Sequence, residues 1–173
     1  MIIESLESAE RRGAKIYAEI KGYSSNCHGA HPLSPEENGF DTYYTLQQTL
    51  LQSGIKPHEI DMVNTHASST IVGDISEARG IRHILMNKHT TDNLENLAKM
   101  DIAQLKDDDL DFSLNRASVN ALKPYIGHSQ LCAGAVESIL SLKSFESDVI
   151  PMNRNLEDPC LDGLNYVMKD HKK

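Results

Sequence analysis

The chain has little of what stabilises secreted proteins or marks redox sites. Among its 173 residues there is no tryptophan, and the three cysteines are Cys27, Cys132 and Cys160. No two of them have the C-x-x-C spacing of redox and zinc motifs, and an odd number cannot all pair within one chain. Because disulfide frameworks belong to oxidising compartments, these cysteines predict a reduced, intracellular protein.

Long apolar runs and an excess of basic residues are also missing. No apolar stretch approaches the roughly 18 residues that a membrane span requires. Asp and Glu outnumber Lys and Arg by 25 to 17, for a formal net charge of −8. This balance disfavours nucleic-acid and anionic membrane surfaces, which reward clustered Lys and Arg, but it allows a local basic patch for an acidic carrier protein. Residues 1–15 resemble neither a secretory signal nor a basic transit peptide.

Hydrophobic periodicity predicts alternating strands and helices. Ile16, Ala18 and Ile20 alternate with polar residues, which is the pattern of a half-buried strand. The sequence after Gly127 is apolar almost all round, which predicts a buried helix. The order β-α-β-α-β-α-β-β after a first short helix predicts a layered α/β domain. The predicted helices span 2–12, 40–53, 74–87 and 127–142, and the predicted strands span 15–22, 60–64, 117–121, 148–150 and 164–168.

The segment at about 90–112 departs from this periodic pattern. It carries seven acidic residues against two lysines. Such a composition predicts a solvated surface insertion with about one helical turn. The alternative is that the segment forms a docking surface for another chain.

Two short polar segments carry the chemistry, VNTHASST at 63–70 and KPYIGH at 123–128. Each places a histidine, His66 or His128, at the C-terminal end of a predicted strand, and open α/β sheets bind ligands at that edge. A single histidine there is more often a cap or a hydrogen-bonding core residue. The pair, among small neighbours, favours a site in which two neutral imidazoles donate N–H groups to a developing oxyanion.

Several ordered motifs resemble those of β-ketoacyl-ACP synthases. NTHASST is similar to N-A-H-G/A-T-S-T, and KPYIGHSQLCAGAVES is similar to K-x-x-x-G-H-x-x-x-A-A-G-A-V-E. LSPEENG is similar to S-P-x-x-x-G, and VIPMNRNLEDP is similar to P-P-x-x-N-L-x-x-P. The resemblance extends over nearly the whole chain except the acidic segment. Polyketide synthase ketosynthase domains and mitochondrial condensing enzymes share these motifs, so a polyketide ketosynthase fragment is an alternative.

The resemblance implies a thiolase-like fold, in which two similar halves pack about a pseudo-twofold axis and two chains form a dimer. Residues 1–173 would be the C-terminal domain in part, with its last strands missing. The implied reaction is the decarboxylative Claisen condensation of an acyl thioester with malonyl-ACP in fatty acid biosynthesis, through a cysteine acyl-enzyme. The implied partner is an acyl carrier protein. No cofactor beyond the 4′-phosphopantetheine on that carrier is implied.

The resemblance also assigns six site residues, in three pairs. The first pair activates the malonyl group and stabilises its enolate oxygen. The second has a structural and electrostatic role, because a buried charge needs a partner. The third contacts the pantetheine arm through hydroxyl groups. The pairs are His66 with His128, Lys123 with Glu137, and Ser68 with Thr70.

The nucleophile of this family is absent from the sequence. It lies in the N-terminal half, in a T-A-C-A/S-type motif, whereas Cys132 is predicted to be a buried and inert core residue. The chain is therefore expected to be inactive alone and to need an N-terminal half or a homodimer partner. Two rivals remain: a non-catalytic structural or binding subunit, and a fragment that does not fold alone because half a core exposes a large apolar face.

Two minor expectations concern metal and compartment. His28 and His31 lie close in sequence, but no third or fourth ligand follows at zinc-like spacing, so no metal site is predicted. The resemblance favours the mitochondrion over the cytoplasm and the plastid.

Overall fold

A short parallel sheet lies at the centre of the computed structural model, which describes residues 1–27, 29, 31 and 34–168. Every residue of the middle strand is buried. This is the environment in which parallel sheets are normally found. The strands, in their order across the sheet, are β1 (Met62–Asn64), β2 (Ser118–Asn120) and β3 (Asn165–Tyr166).

Six α-helices lie along the described part of the chain, with single turns of 3₁₀-helix between some of them. The second helix ends at Gly54, whose φ of 70° is the left-handed conformation that glycine adopts without strain. The helices are α1 (Leu6–Arg11), α2 (Phe40–Ser53), α3 (Ile71–Met86), α4 (Leu94–Lys99), α5 (Lys123–Ile126) and α6 (Ala133–Ser147).

Close packing of α2 on α3 depends on two glycines. A Cβ on Gly39 would lie 2.6 Å from the backbone nitrogen of Gly80, and a Cβ on Gly80 would lie 2.6 Å from the Cβ of Thr42. Neither distance leaves room for a side chain, so the two backbones can approach only because both positions are glycine. The two helices share one core with α4 and the middle strand, formed by Tyr43, Leu50, Ala78, Ile81, Ile84, Leu85, Met86, Leu97, Ala117, Val119 and Leu164.

The strand predicted over 15–22 is wrong. This segment belongs to no strand of the described structure, and its apolar side chains are open to solvent, with Ile16 49% and Ile20 66% exposed. Its contacts are with helices: Lys15 pairs with Glu146 of α6 at 2.7 Å. The alternating pattern indicates that one face of the segment is apolar. No described strand pairs with the segment, so that face stays exposed.

The buried helix predicted after Gly127 is also wrong in two respects. Residues 123–126 form the separate helix α5, and α6 begins only at Ala133. Much of α6 and the turn before it is exposed, with Leu131 103% exposed. Cys132, predicted as a core residue, is exposed. An apolar composition all round a helix therefore does not ensure burial here, because no other described element packs over that face.

The strand predicted over 148–150 does not form among the described residues either. Asp148 ends α6 in the left-handed region, with a φ of 56°. The other predicted elements are confirmed with shifted ends. The helix over 40–53 matches α2, and the strand over 117–121 matches β2 within one residue at each end.

The acidic segment 90–112 is more than a solvated insertion. Leu97 is fully buried in the core, and its carbonyl accepts a hydrogen bond from Gln47 Nε2 at 2.6 Å. Leu94, Met100 and Ile102 pack against the same core. The prediction of a solvated surface segment holds for the acidic side chains but is wrong for these apolar ones, which cover the outer side of α2. Whether the acidic face docks another chain stays a prediction.

Leu97→Ala tests the contribution of this segment to the fold. Truncating a fully buried leucine should lower the free energy of unfolding by about 2–5 kcal/mol, because transfer energy is lost and a cavity is left. Leu131→Ala is the matched control, and it should change stability by less than about 0.5 kcal/mol because Leu131 is exposed. Urea unfolding of the three chains measures both values. Equal stability of the two variants would show that the segment is not part of the core.

Asp107 links the acidic segment to α3 through two side-chain contacts. Its carboxylate lies 2.9 Å from Arg82 Nη2 and 3.4 Å from His83 Nε2. Both partners are buried, and among the described residues His83 Nδ1 and Arg82 Nε have no hydrogen-bond partner. Burial lowers the pKa of His83 by more than the Asp107 carboxylate raises it.

The lowered pKa of His83 predicts a loss of stability in acid. The folded chain holds His83 neutral while the unfolded chain protonates it near its ordinary pKa of about 6.5. The free energy of unfolding should therefore fall as the pH drops below that value. His83→Gln should flatten the slope between about pH 7 and 5, because it removes the buried titrating group. Identical slopes in the variant and the unaltered chain, measured by urea unfolding, would refute the assignment.

Two further features of the described residues concern membranes and metals. None of the helices there combines the length and the apolar character that crossing a bilayer requires. No three His, Cys, Asp or Glu side chains there are grouped as metal ligands. His28, considered above as half of a histidine pair, lies outside the described residues.

Candidate active site

The site is built on the C-terminal ends of β1 and β2. Asn64 pairs with Asn120, so both strands end at the same level. Thr65 extends the ladder by one residue, because its backbone nitrogen and its hydroxyl both donate to the carbonyl of Asn120, at 2.9 and 3.0 Å. Both polar segments therefore leave the sheet at one edge, where parallel sheets bind ligands.

The turn after β1 is held by Glu77, a residue that the sequence motifs did not indicate. Its carboxylate accepts the backbone N–H groups of His66 and Ala67, at 2.6 and 2.8 Å. Ala67 and Ser69 have φ angles of 36° and 65°, in the left-handed region that non-glycine residues rarely adopt. The double hydrogen bond offsets the strain of this turn.

The turn that carries His128 is held at both ends. Gly127, with a φ of 73°, ends α5. The backbone N–H of Gln130 donates to His128 Nδ1 at 3.3 Å. A nitrogen that accepts a hydrogen bond carries no proton, so the neutral ring has its proton on Nε2. His128 is thereby set to offer an N–H donor from the nitrogen that faces away from its own turn.

The two histidine rings meet at this edge of the sheet. The centroids of the His66 and His128 rings lie 5.1 Å apart, and the ring planes cross at 83°. The sequence places the two residues 62 positions apart, so only the pairing of β1 with β2 brings them together. Their assigned catalytic role stays a prediction, but the arrangement can direct two imidazoles at one oxygen atom.

Lys123 and Glu137 form a buried ion pair. Lys123 Nζ lies 2.8 Å from Glu137 Oε1, and the side chains are 6% and 8% exposed. The pair joins α5 to α6 and so fixes the turn between them. An ion pair with so little access to water has no free charge to offer a ligand, which fits the structural and electrostatic role expected for it.

A cavity of about 550 Å³ opens at this edge of the sheet, and His66 and Glu137 are not among the residues that line it. Ser68, Lys123 and His128 line it. Thr70 does not line it, but its hydroxyl lies 3.2 Å from that of Ser68. The two residues assigned to the pantetheine arm therefore lie together, on the side of the cavity that the His66 turn forms.

Cys160 also lines the cavity, which the sequence did not indicate. Partial burial raises the pKa of its thiol, and the carboxylates of Asp74 and Glu77 raise it further. A thiol in such surroundings is held protonated and is a weak nucleophile. The cavity therefore contains a cysteine without the environment that would activate it.

Glu77→Gln tests the support of the His66 turn. An amide offers one acceptor oxygen to the two backbone N–H groups, so one of them should lose its partner. The unpaired N–H group should lower the free energy of unfolding by about 1–3 kcal/mol. Hydrogen exchange at the amides of His66 and Ala67 should become faster while the protection of α2 is kept. Glu95→Gln, at an exposed glutamate on α4, is the control and should leave both amides unchanged. Unchanged hydrogen-exchange protection of the His66 and Ala67 amides in Glu77→Gln would show that Glu77 does not hold this turn.

Known proteins match nearly the whole length of the chain. The sequence model of the family described as beta-ketoacyl synthase, C-terminal domain, matches residues 17–97 and 92–157. A mitochondrial 3-oxoacyl-[acyl-carrier-protein] synthase of Arabidopsis thaliana is 34% identical over 92% of this chain and 30% of its own length. The 3-oxoacyl-[acyl-carrier-protein] synthase 2 of Mycobacterium leprae is 35% identical over 94% of this chain and 33% of its own length.

The solved structures agree with the sequence match. A type II PKS acyl-carrier protein in complex with its ketosynthase superposes with a TM-score of 0.73 at 26% identity, over 97% of this chain and 35% of the matched chain. The chain thus spans about a third of the length of the relatives that it matches, and the expected thiolase-like α/β fold is confirmed for that third. The chain belongs to the β-ketoacyl synthase family, of which it carries the C-terminal domain.

Proposed function

We propose that this chain supplies the histidine half of a decarboxylative condensing site that joins an acyl thioester to malonyl-ACP. The proposal rests on one observation: the His66 and His128 rings, whose centroids lie 5.1 Å apart, are together at the C-terminal edge of the sheet. The hydrogen bond from Gln130 supports it, because it leaves Nε2–H of His128 as the donor. The family relationship supports the reaction class.

The proposed reaction divides between this chain and a cysteine that it does not provide. The cysteine thiolate attacks the acyl thioester and releases the carrier thiol. Malonyl thioester then loses CO₂, and the electrons of the broken C–C bond form an enolate whose oxygen accepts hydrogen bonds from the two rings. The enolate carbon attacks the acyl-enzyme, and the cysteine leaves as thiolate. Each donor to the enolate oxygen contributes roughly 2.7–4 kcal/mol to transition-state stabilisation.

We propose that the cysteine belongs to the N-terminal half of a synthase, packed against the exposed side of α6. Ile139 and Phe145 expose apolar surface on α6, Leu131 does so in the turn before it, and Ile16 and Ile20 expose more on the neighbouring segment. Apolar patches of this kind mark protein interfaces. The relatives that the chain matches are about three times longer, so they have enough additional chain to form such a half.

The proposed substrate carrier is an acyl carrier protein, and its phosphopantetheine arm is the only cofactor in the proposal. One solved neighbour is a ketosynthase in complex with such a carrier. Ser68 and Thr70 are proposed to contact the arm, since their hydroxyls lie together beside the cavity. A mitochondrial location is proposed on the name of the relative from Arabidopsis thaliana.

A second candidate is a non-catalytic subunit that keeps the domain for assembly. The thiol of Cys160 favours it, because this cavity-lining cysteine is held in an unreactive state. In that case the exposed apolar surface would bind a larger complex, and the histidines would be dispensable.

Co-expression with a cysteine-bearing N-terminal half separates the two candidates. The assembly should condense acyl-ACP with malonyl-ACP, and His66→Ala or His128→Ala should each reduce kcat about 10²- to 10³-fold, since each removes one donor to the enolate oxygen. His89→Ala, at an exposed histidine outside the candidate site, should leave kcat unchanged. No condensation in any pairing, with both parts folded, would refute the proposal. Stable assembly with no effect of either histidine variant would favour the second candidate.

A further inference from the structure

Phe112, at the end of the acidic segment, lies directly against a loop that forms part of the cavity wall. This cavity loop consists of residues 158–163, in the connection between α6 and β3. A Cβ on Gly163 would lie 2.2 Å from Cε1 and 2.6 Å from Cδ1 of the Phe112 ring. Side-chain atoms do not approach so closely, so the ring fills the space that any other residue at position 163 would need.

The cavity loop is held to the rest of the domain at three further points. Asn115 Nδ2 donates to the carbonyl of Gly163 at 2.9 Å. The side chain of Leu161 packs against the core, and its carbonyl accepts the hydroxyl of Tyr166 at 3.0 Å. The φ of Gly163 is 92°, which lies in the region that favours glycine. The loop can therefore keep this path, in contact with the ring, only because position 163 is glycine.

The backbone that carries Phe112 is anchored to the end of α3. The N–H of Asp111 donates to the carbonyl of Met86, the last residue of that helix, at 2.8 Å. The Asp111 carboxylate accepts the hydroxyl and the backbone N–H of Ser113, at 2.6 and 2.9 Å. These two hydrogen bonds lower the pKa of Asp111 and close the turn around the ring. The position of Phe112 is therefore set by α3 rather than by the cavity loop.

The same loop contributes three consecutive residues to the cavity lining, Asp158, Pro159 and Cys160. Phe112 itself does not line the cavity. Burial raises the pKa of the Cys160 thiol, and the carboxylates of Asp74 and Glu77 on α3 raise it further. The place of the loop decides how near the thiol lies to those carboxylates. A shift of the loop would therefore change the cavity wall and the ionisation of Cys160 together.

We propose that Phe112 is a positioning residue that sets the cavity loop, and with it the shape of the cavity, from the end of the acidic segment. None of the motifs that identify the family includes Phe112, so this support comes from outside them. The acidic segment thereby has a role beyond covering α2, because it connects the core at Leu97 with the cavity wall at Gly163. The proposal goes beyond the proposed reaction, since it holds for any ligand of the cavity.

The rate at which Cys160 reacts with iodoacetamide, measured against pH, reports the position of the loop. Cys27→Ser and Cys132→Ser together leave Cys160 as the only thiol, and this double variant is the reference chain. The midpoint of the profile is then the pKa of Cys160, because the thiolate is the form that reacts.

Other groups that carry or change charge near the thiol do not confuse this profile. Three lining carboxylates, of Asp74, Glu77 and Asp158, face the same cavity. Carboxylates are ionised throughout the range from about pH 7 to 10. Burial raises the pKa of Tyr166, so its hydroxyl stays protonated in that range. The midpoint therefore reports the surroundings of Cys160 alone.

Phe112→Ala should lower the midpoint by about 0.5 pH units, toward the ordinary thiol value of about 8.5, because the released loop moves Cys160 into water and away from the carboxylates. Phe112→Tyr keeps the ring and should keep the midpoint. Phe145→Ala is the matched control, because it removes a comparably exposed ring from α6, and it should also keep the midpoint. An unchanged midpoint in Phe112→Ala, in a chain whose α3 amides stay protected from exchange, would overturn the proposal.

Gly163→Ala tests the contact from its other side. The added Cβ should shift the midpoint while the Phe112 ring is present, because the two cannot occupy the same space. In the Phe112→Ala chain it should add little, since residues in direct contact have non-additive effects. Equal shifts from Gly163→Ala with and without the ring would overturn the proposal. These measurements need neither a partner half nor condensation, so their outcome is separate from that of the activity assay.

Discussion

The pairing of β1 with β2 in parallel and in register is the constraint on which the candidate site depends. With Asn64 opposite Asn120, two turns that are far apart in sequence leave the sheet at the same level. Glu77 then fixes one turn through two backbone hydrogen bonds, and the Lys123–Glu137 pair fixes the other. A slip of one residue between these strands would separate the histidine rings without breaking any local motif.

Local signals were sufficient for the parts of the molecule whose structure is decided nearby. The apolar spacing and the glycine stop predicted α2, and the polar turns after two strands predicted the positions of His66 and His128. Glu77 was not predicted because its role depends on α3 folding back over the turn. Nothing in its sequence neighbourhood distinguishes it from a surface glutamate.

The remaining errors share one physical cause. A hydrophobic pattern reports that a face is apolar but not whether another element covers it. Residues 15–22 and α6 were predicted to be buried or paired, and the structure leaves both largely exposed. Leu97 shows the reverse case, because the charges around it concealed a residue of the core.

The contact between the two histidine rings in the folded chain is the feature that the proposed site requires most directly. Nuclear Overhauser measurements between the assigned ring protons of His66 and His128 test that contact without requiring a partner or a substrate. The centroid distance of 5.1 Å predicts cross-peaks between the two rings. Absence of any cross-peak, in a chain whose α2 and α3 amides are protected from exchange, would contradict it.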